Sequence, residues 1–463
     1  MIEGRPKTIA VLDIGKTNLK IVLVSEDGRV VEHLSRRNRV VDGPPYPHIP
    51  VDEVWDWFLE SLAILARRHA IAAIVPTTYG SAAALIDEDG LALPVLDYEA
   101  DPPPKVKASY AEIAPPFEEV FAPTNPAGLT LARQLHWQQQ VWPGRFARAR
   151  HLLTYPQYWT WRLTGVAAGE ITSLGAQTHL WAPERSDFSS LAKRHGWDRL
   201  VPPLRPAGDI AGTLLSAIAD ITGLPAVTPV LCGIHDSNAN YARYLAAGFD
   251  DFTLMSTGTW LISFNAAQPL RQLDPARDTN VNIDFAGRPV ACARFMIGRE
   301  YELLAGPASA SRPEILAALS RIMENGAMAL PAFTESGGPV PGAGGRGRVV
   351  GPPPANDVER IALAMLYVAL MADQSLDAIG SRNMIVIDGG FADRPWFAEL
   401  MAALRPGQPV RVSSETEGTS IGAASLLFRD HGPQWSAPLR PVDPPPLPAL
   451  AAYAEGWRLA ALS

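Results

Sequence analysis

Two stretches of this chain share one plan, and that plan limits the folds open to it. Ala10-Val11-Leu12-Asp13-Ile14 is an apolar run that stops at one acid, turns through Gly15-Lys16-Thr17-Asn18, and resumes as Leu19-Lys20-Ile21-Val22-Leu23-Val24. Apolar runs of this length, β-branched and bounded by a glycine turn, read as strand, turn, strand. Phe252-Thr253-Leu254-Met255-Ser256-Thr257-Gly258-Thr259-Trp260-Leu261-Ile262-Ser263-Phe264 repeats the plan with little residue identity. The separation of about 240 residues makes this duplicated architecture rather than a short-period array.

The chemistry of the first turn is specific. An acid at a strand end lies beside the backbone N–H groups of a tight glycine turn. Those donors, with Lys16, Thr17, Asn18 and Lys20, suit the oxygens of a polyphosphate, and Asp13 suits the Mg²⁺ that accompanies it. No GxxxxGK[ST] is present and a strand rather than a helix follows, so this is not a Walker A loop. A single such turn reads equally as an ordinary solvated hairpin. Two in equivalent places, each rich in Thr, Ser and Gly, favour a nucleotide clamp.

Length and composition narrow the setting. A chain of 463 residues holds two or three domains, and 47% hydrophobic with 19% charged residues is globular usage. The formal net charge of −8 argues against a nucleic-acid surface. Cys232 and Cys292 stand far apart with no zinc spacing, which fits a reducing compartment. Residues 1–6 carry no apolar segment of a secretory signal, and no long uninterrupted apolar window marks a membrane span. The expected location is cytoplasmic.

Between the two hairpins the chain reads as strand 30–37, then a helix capped by Asp52 with Val54, Trp57, Phe58, Leu62 and Leu65 on one face. A strand at 71–76 ends in Thr77-Thr78-Tyr79-Gly80, and another covers 83–86. Pro102-Pro103-Pro104 opens an irregular, helix-rich and aromatic-rich stretch reaching about residue 220. After the second hairpin come a strand near 290–295, a long helix over 357–379 and a strand at 384–387. The proline-rich segments 331–354 and 438–448 read as surface loops and a tail.

Three further places carry chemistry. A strand ends near Gly233, and His235-Asp236 falls on the turn into a helix. An acid there serves as a helix cap. Between two phosphate turns it would also accept a hydroxyl proton during phosphoryl transfer. His235 suits a sugar hydroxyl, a proton or simple packing. Asp388-Gly389-Gly390-Phe391 and Glu417-Gly418-Thr419-Ser420-Ile421-Gly422-Ala423-Ala424 are glycine-rich junctions. Missing side chains permit either close approach of a base and ribose or tight packing.

In order, these pieces resemble the FGGY carbohydrate kinases of the actin, hexokinase and Hsp70 fold superfamily, and within them the rhamnulokinase and fuculokinase branch. The matching stretches are 13–20, 77–87, 93–99, 152–165, 170–180, 233–239, 255–260, 280–298 and 387–391. The resemblance implies an α/β fold of two actin-like, RNase H-like domains flanking a deep cleft, spanning 1–246 and 247–463. It implies ATP and Mg²⁺ as cofactors and transfer of the γ-phosphate to a ketose hydroxyl, a 6-deoxyketohexose such as L-fuculose or L-rhamnulose being most expected. Other acceptors (a pentulose or polyol) and a catalytically silent nucleotide-binding protein are the alternatives. The partners are then a sugar and ATP, without nucleic acid or membrane, and a homodimer is allowed.

Carried over position by position, Asp236 matches the catalytic base. Asp13, Gly15, Lys16, Thr17, Asn18 and Lys20 match the first phosphate turn, Asp13 also facing the metal. Ser256, Thr257, Gly258 and Thr259 match the second turn, and Gly389, Gly390 and Phe391 the adenosine site. Tyr79, Gly80, Glu99, Glu170, His235 and Asp236 fall on the sugar side. There the chain departs from the branch: Gly80-Ser81-Ala82 stands where Gly-Val-Asp is usual, and Asp97-Tyr98-Glu99-Ala100-Asp101 lacks the arginine of a Tyr-Arg-Asp-like stretch. Glu99, Asp101, Glu170 and His235 are the candidate replacements for the missing acid.

Overall fold

A computed structural model describes residues 7–335, 338–431 and 435–462. The segment 1–6, where the sequence shows no apolar stretch of a secretory signal, lies outside them. The chain divides into two compact units. The first comprises Met1–Phe249, Val281–Pro289 and Glu417–Ser436; the second comprises Asp250–Asn280, Val290–Thr416 and Ala437–Ser463. Two segments from the later part of the chain thus belong to the first unit.

The first unit is built on β1 (Lys7–Ile14), β2 (Asn18–Ser25), β3 (Val30–Arg37), α1 (Val51–Ala66), β4 (Ala70–Thr78), β5 (Ile210–Thr213), β6 (Pro229–Leu231), β7 (Ile234–His235) and α2 (Asp236–Ala246). Its sheet runs β5-β6-β4-β1-β2-β3, with β7 also on β4. The β1–β2 hairpin is antiparallel with Asp13 opposite Lys20, and β1 pairs with β4 in parallel. The apolar run in β1 has a simple cause: both faces of the strand are covered. Ala10, Leu12 and Ile14 join one core with Phe58, Leu62 and Trp159, while Ile9 and Val11 join another with Val22, Ala239 and Ile421. Strand β3 instead alternates exposed and half-buried residues, as an edge strand does.

Helix α1 corrects the expected cap. It starts at Val51 after Pro50, so Asp52 lies inside the first turn and favours the helix through its dipole instead. Val54, Phe58, Leu62 and Leu65 are buried as expected, joined by Trp55, whereas Trp57 is half-buried. The stretch from Pro104 to Thr222 is helix-rich, as its prolines and aromatics indicate.

The second unit contains β8 (Phe252–Thr257), β9 (Leu261–Asn265), β10 (Pro289–Phe295), α3 (Asp357–Ala378), β11 (Met384–Gly389), β12 (Val410–Ser413) and, after α4 (Gly418–Ser425) has returned to the first unit, β13 (Leu439–Pro441). Its strands run β10-β9-β8-β11-β12-β13. The β8–β9 hairpin is antiparallel and β8 pairs with β11 in parallel, as β1 does with β4. The duplicated plan is therefore a duplicated sheet topology. By length and hydropathy α3 is apolar enough to cross a membrane, but 94% of its apolar window is buried inside the protein. Two helices here, Ile297–Ala305 and Arg312–Asn325, are absent from the sequence reading. The second carried a signal: Ser311 and Glu314 form a capping box.

Candidate active site

The first turn is closed by its own backbone. Gly15 N–H donates to the Asn18 carbonyl at 2.9 Å, and Asn38 ties the turn from outside through Gly15 O and Thr17 O. A Cβ at Gly15 would sit 2.9 Å from Asn18 O, so the residue is fixed as glycine by close approach. Thr17 and Asn18 are exposed at the tip.

Asp13 ends β1 at the base of this turn, and its neighbours come from far away in sequence. Ser420 Oγ, on α4, donates to Asp13 Oδ2 at 2.9 Å. Lys20 reaches both carboxylate oxygens of Glu417 at 2.9 Å. Helix α4 lies so close to α2 that a Cβ on Gly422 would stand 1.8 Å from Ala239 O. The 417–424 junction, weighed for a base and ribose or for tight packing, is the packed element that buttresses Asp13. Loss of hydration pushes the Asp13 carboxyl up to about 6, against the lowering pull of Lys20 and Ser420; nearby Asp236 and Glu417 add to the rise.

Asp236 is the first residue of α2, with His235 as N-cap. Its Oδ1 accepts from Ser237 N–H at 2.6 Å and lies 3.3 Å from His235 Nε2. The carboxylate is 30% exposed and thus reachable. His235 is buried, and its ring packs on Gly80, where a Cβ would meet Nε2 at 2.8 Å. Gly80 is therefore a packing glycine under the histidine. Tyr79 is buried edge-on to Tyr98, with ring centroids 5.4 Å apart.

Three assignments on this side shift. Lys16 turns away from the turn it belongs to: its ammonium bonds Asp97, lies 3.2 Å from Glu99 and sits 4.6 Å over the Tyr98 ring. Its ammonium is engaged by these carboxylates rather than by the turn it belongs to. Glu99 is 65% exposed at the outer end of that pair. Glu170 is fully buried and caps the turn Ile171–Leu174, accepting from Thr172 N–H, Ser173 N–H and Thr172 Oγ. Burial pushes its carboxyl up to about 7 despite those bonds. Its oxygens are committed to its own helix, so it is not a free sugar ligand. Thr172 Oγ in turn accepts from His235 N–H at 3.1 Å, which links Glu170 to the backbone beside Asp236.

In the second unit, Gly258 and Thr259 are exposed at the β8–β9 turn and Ser256 is half-buried. Thr257 is buried, with its hydroxyl and carbonyl engaged inside its own unit. Its hydroxyl donates to Asp388 O at 2.6 Å and accepts from Phe391 N–H at 3.0 Å, while its carbonyl accepts from Gly390 N–H. Gly389 has φ +86°, and a Cβ there would lie 2.0 Å from Thr257 O. Gly389 and Gly390 are exposed, but Phe391 is buried edge-on against Tyr301 and Phe397. Phe391 is a core residue; its ring offers no platform for a base.

Sequence reasoning missed the partnership of Lys20 with Glu417, the Ser420 bond and the buried carboxylate of Asp97. Only Asp97 had a local signal, an acid inside a stretch already flagged for its odd composition.

Known proteins place this geometry. The FGGY family of carbohydrate kinases, N-terminal domain, matches residues 122–241, and Carbohydrate kinase FGGY, C-terminal domain, matches 249–436. A crystal structure of a carbohydrate kinase from Novosphingobium aromaticivorans is similar over 99% of both chains, at 36% identity and a TM-score of 0.88. The L-fuculokinase of Salmonella typhi is 26% identical over 268 residues, 55% of this chain and 55% of that protein. A probable L-xylulose kinase of Pasteurella multocida (strain Pm70) is 24% identical over 277 residues, 56% of each. The chain thus spans about half the length of the curated relatives it matches. With both domain models matched in order and one relative alike from end to end, the chain belongs to the FGGY family of carbohydrate kinases.

Proposed function

We propose that this protein is an ATP-dependent sugar kinase that transfers the γ-phosphate of ATP to a hydroxyl of a ketose. The observation that carries the reading is the pair Asp13 and Asp236: an acid where β1 meets its turn and a reachable acid at the start of α2, in the same unit. Asp236 is the base. It is reachable and held at a helix start by Ser237, placed to orient an acceptor hydroxyl and take its proton as the oxygen attacks in line. Within the first unit Gly15, Thr17 and Asn18 are the proposed phosphate contacts; within the second Gly258 and Thr259 are, and exposed Gly389 and Gly390 are the proposed adenosine contacts.

Mg²⁺ fits the donor set. Among the described residues no cluster of three or more His, Cys, Asp or Glu forms a protein cage for a metal. Mg²⁺ beside ATP asks for less, one or two carboxylates with the remaining positions taken by water and phosphate. Asp13 is such a carboxylate, poorly hydrated and incompletely neutralised because Lys20 is shared with Glu417. Bound there, the ion would offset the charge that develops on the transferring phosphoryl group. Asp13 would hold it, and Ser420 would fix Asp13.

The acceptor class proposed first is a 6-deoxyketohexose, L-fuculose or L-rhamnulose, on the likeness to L-fuculokinases. A pentulose is the second reading, favoured by the absence of an acid at Ala82 and by the likeness to L-xylulose kinases. A coupled ADP-release assay with L-fuculose, L-rhamnulose, L-xylulose, D-xylulose, L-ribulose, D-ribulose, erythritol and glycerol tests both. Sugar-stimulated ADP release with one or more supports the kinase reading. None with any, together with ATP binding by calorimetry, favours a silent nucleotide-binding protein.

A further inference from the structure

Of the acids near the altered sugar segment, most are spoken for. Glu170 is sealed within its own turn, Asp101 pairs with Lys107 at the surface, and Glu99 stands largely in solvent. Ala82, where the branch carries an acid, is buried and apolar. Ser81 beside it adopts a left-handed backbone (φ 57°) and is pinned through its hydroxyl to Leu129 O and through its carbonyl to Gln134. That strained segment has no room to offer a charge.

Asp97 is different. Its side chain is 5% exposed, yet it remains paired, with Lys16 bonded to Oδ1. Oδ2 has no protein partner among the described residues and is not sealed from solvent. The backbone is fixed on both sides: Asp97 N–H donates to Pro47 O and Asp97 O accepts from Ala100 N–H, each at 2.9 Å. The next residue, Tyr98, packs edge-on against Tyr79, and its hydroxyl is pushed upward by loss of hydration and by Glu99, Asp236 and Asp97. Asp97, Tyr98, Tyr79 and Asp236 therefore share one neighbourhood. A nearly buried carboxylate with one oxygen held by Lys16 and the other left open is fixed in place to accept a hydrogen bond from a ligand donor.

We infer that Asp97, held by Lys16, is the acid that binds an acceptor hydroxyl in this protein, taking over from the acid absent at position 82. Lys16 is then a positioning residue for the acceptor rather than a contact of the nucleotide. Its ammonium lies over Tyr98, so ring and carboxylate are set by one cation. The inference rests on the kinase reading and specifies its sugar side: the acceptor carries a hydroxyl donor directed at a fixed carboxylate.

The test is steady-state kinetics on the full chain with the eight-compound panel above, using the acceptor that wild type turns over best. Asp97→Asn removes the charge at nearly constant shape and is expected to raise the acceptor KM at least tenfold, with the ATP KM within twofold. Lys16→Met, which leaves the carboxylate in place, is expected to raise the acceptor KM three- to tenfold and again spare ATP. Calorimetric ATP binding and thermal unfolding of both variants establish that they fold. An acceptor KM within twofold of wild type for folded Asp97→Asn overturns the assignment. So does a Lys16→Met effect confined to the ATP KM. Absence of turnover by wild type with all eight compounds, with ATP still bound, removes the kinase reading and this assignment with it, a result distinct from either variant failing alone.

Discussion

Ser420 donates a 2.9 Å hydrogen bond to Asp13 across 407 residues of sequence. Through it, the acid that ends the first strand depends on a helix translated near the end of the chain.

The first prediction concerns that acid. Burial holds the Asp13 carboxyl at about 6 against an ordinary value of 3.8, so ionising it costs the folded state. The sign follows: stability from the protonated form is fully present below 3.8 and is lost as pH rises through 6. A two-unit displacement corresponds to about 3 kcal/mol at most, less as water screens it. Asp13→Asn is therefore expected to raise Tm relative to wild type at pH 8 and to change it little at pH 4, while abolishing Mg²⁺-dependent turnover. Calorimetric melts at the two pH values check it.

Removing the Ser420 hydroxyl deletes a bond that lowers the Asp13 carboxyl. For Ser420→Ala the acidic limb of the kcat/KM profile should move to higher pH, by about half to one unit for a bond worth about 1 kcal/mol. An unmoved limb would separate Asp13 from the rate.

For Asp236→Asn, kcat should fall by about 10² to 10⁴ with ATP binding kept, since only the proton acceptor is lost. Single-turnover ADP formation beside ATP calorimetry distinguishes this from a folding defect.

Gly422→Ala places a methyl 1.8 Å from a backbone oxygen of α2, which cannot swing aside. A loss of roughly 2–4 kcal/mol in denaturant unfolding is expected. Gly407→Ala, where a Cβ meets nothing within 4 Å, is the matched control and should be near neutral.

Phe391→Leu tests a residue read from sequence as an adenosine contact. With its ring packed on Tyr301 and Phe397, the expected result is about 1–2 kcal/mol of lost stability and an ATP KM within twofold.

What the sequence disclosed was what local chemistry decides. The strand–turn–strand at Asp13 and its counterpart at Thr257, strand Val30–Arg37 and the helix beginning at Asp236 all follow from period, glycine and capping signals within a few residues. What it concealed depends on distant neighbours. The Lys16 ammonium is captured by Asp97, and nothing in the turn itself announces an acid 81 residues away. Glu170 and Phe391 sit beside glycines and polar residues, as ligands do, but one caps its own turn and the other fills a core. Local composition marks where a side chain starts; packing decides where it ends.

The placement of α4 has a consequence for biosynthesis. Ile421, Ala423 and Ala424 cover the face of the first sheet formed by Ile9, Val11, Val22, Val24 and Val75. A nascent chain that has released α2 covers that apolar face only in part, through Ala239 and Ala242, until residues 418–425 leave the ribosome. The first unit to be started is thus completed only after most of the second has been made. A stop codon before α4 would yield a product with a partly uncovered sheet face and without the Ser420 bond to Asp13, prone to aggregate rather than to survive as a half-enzyme.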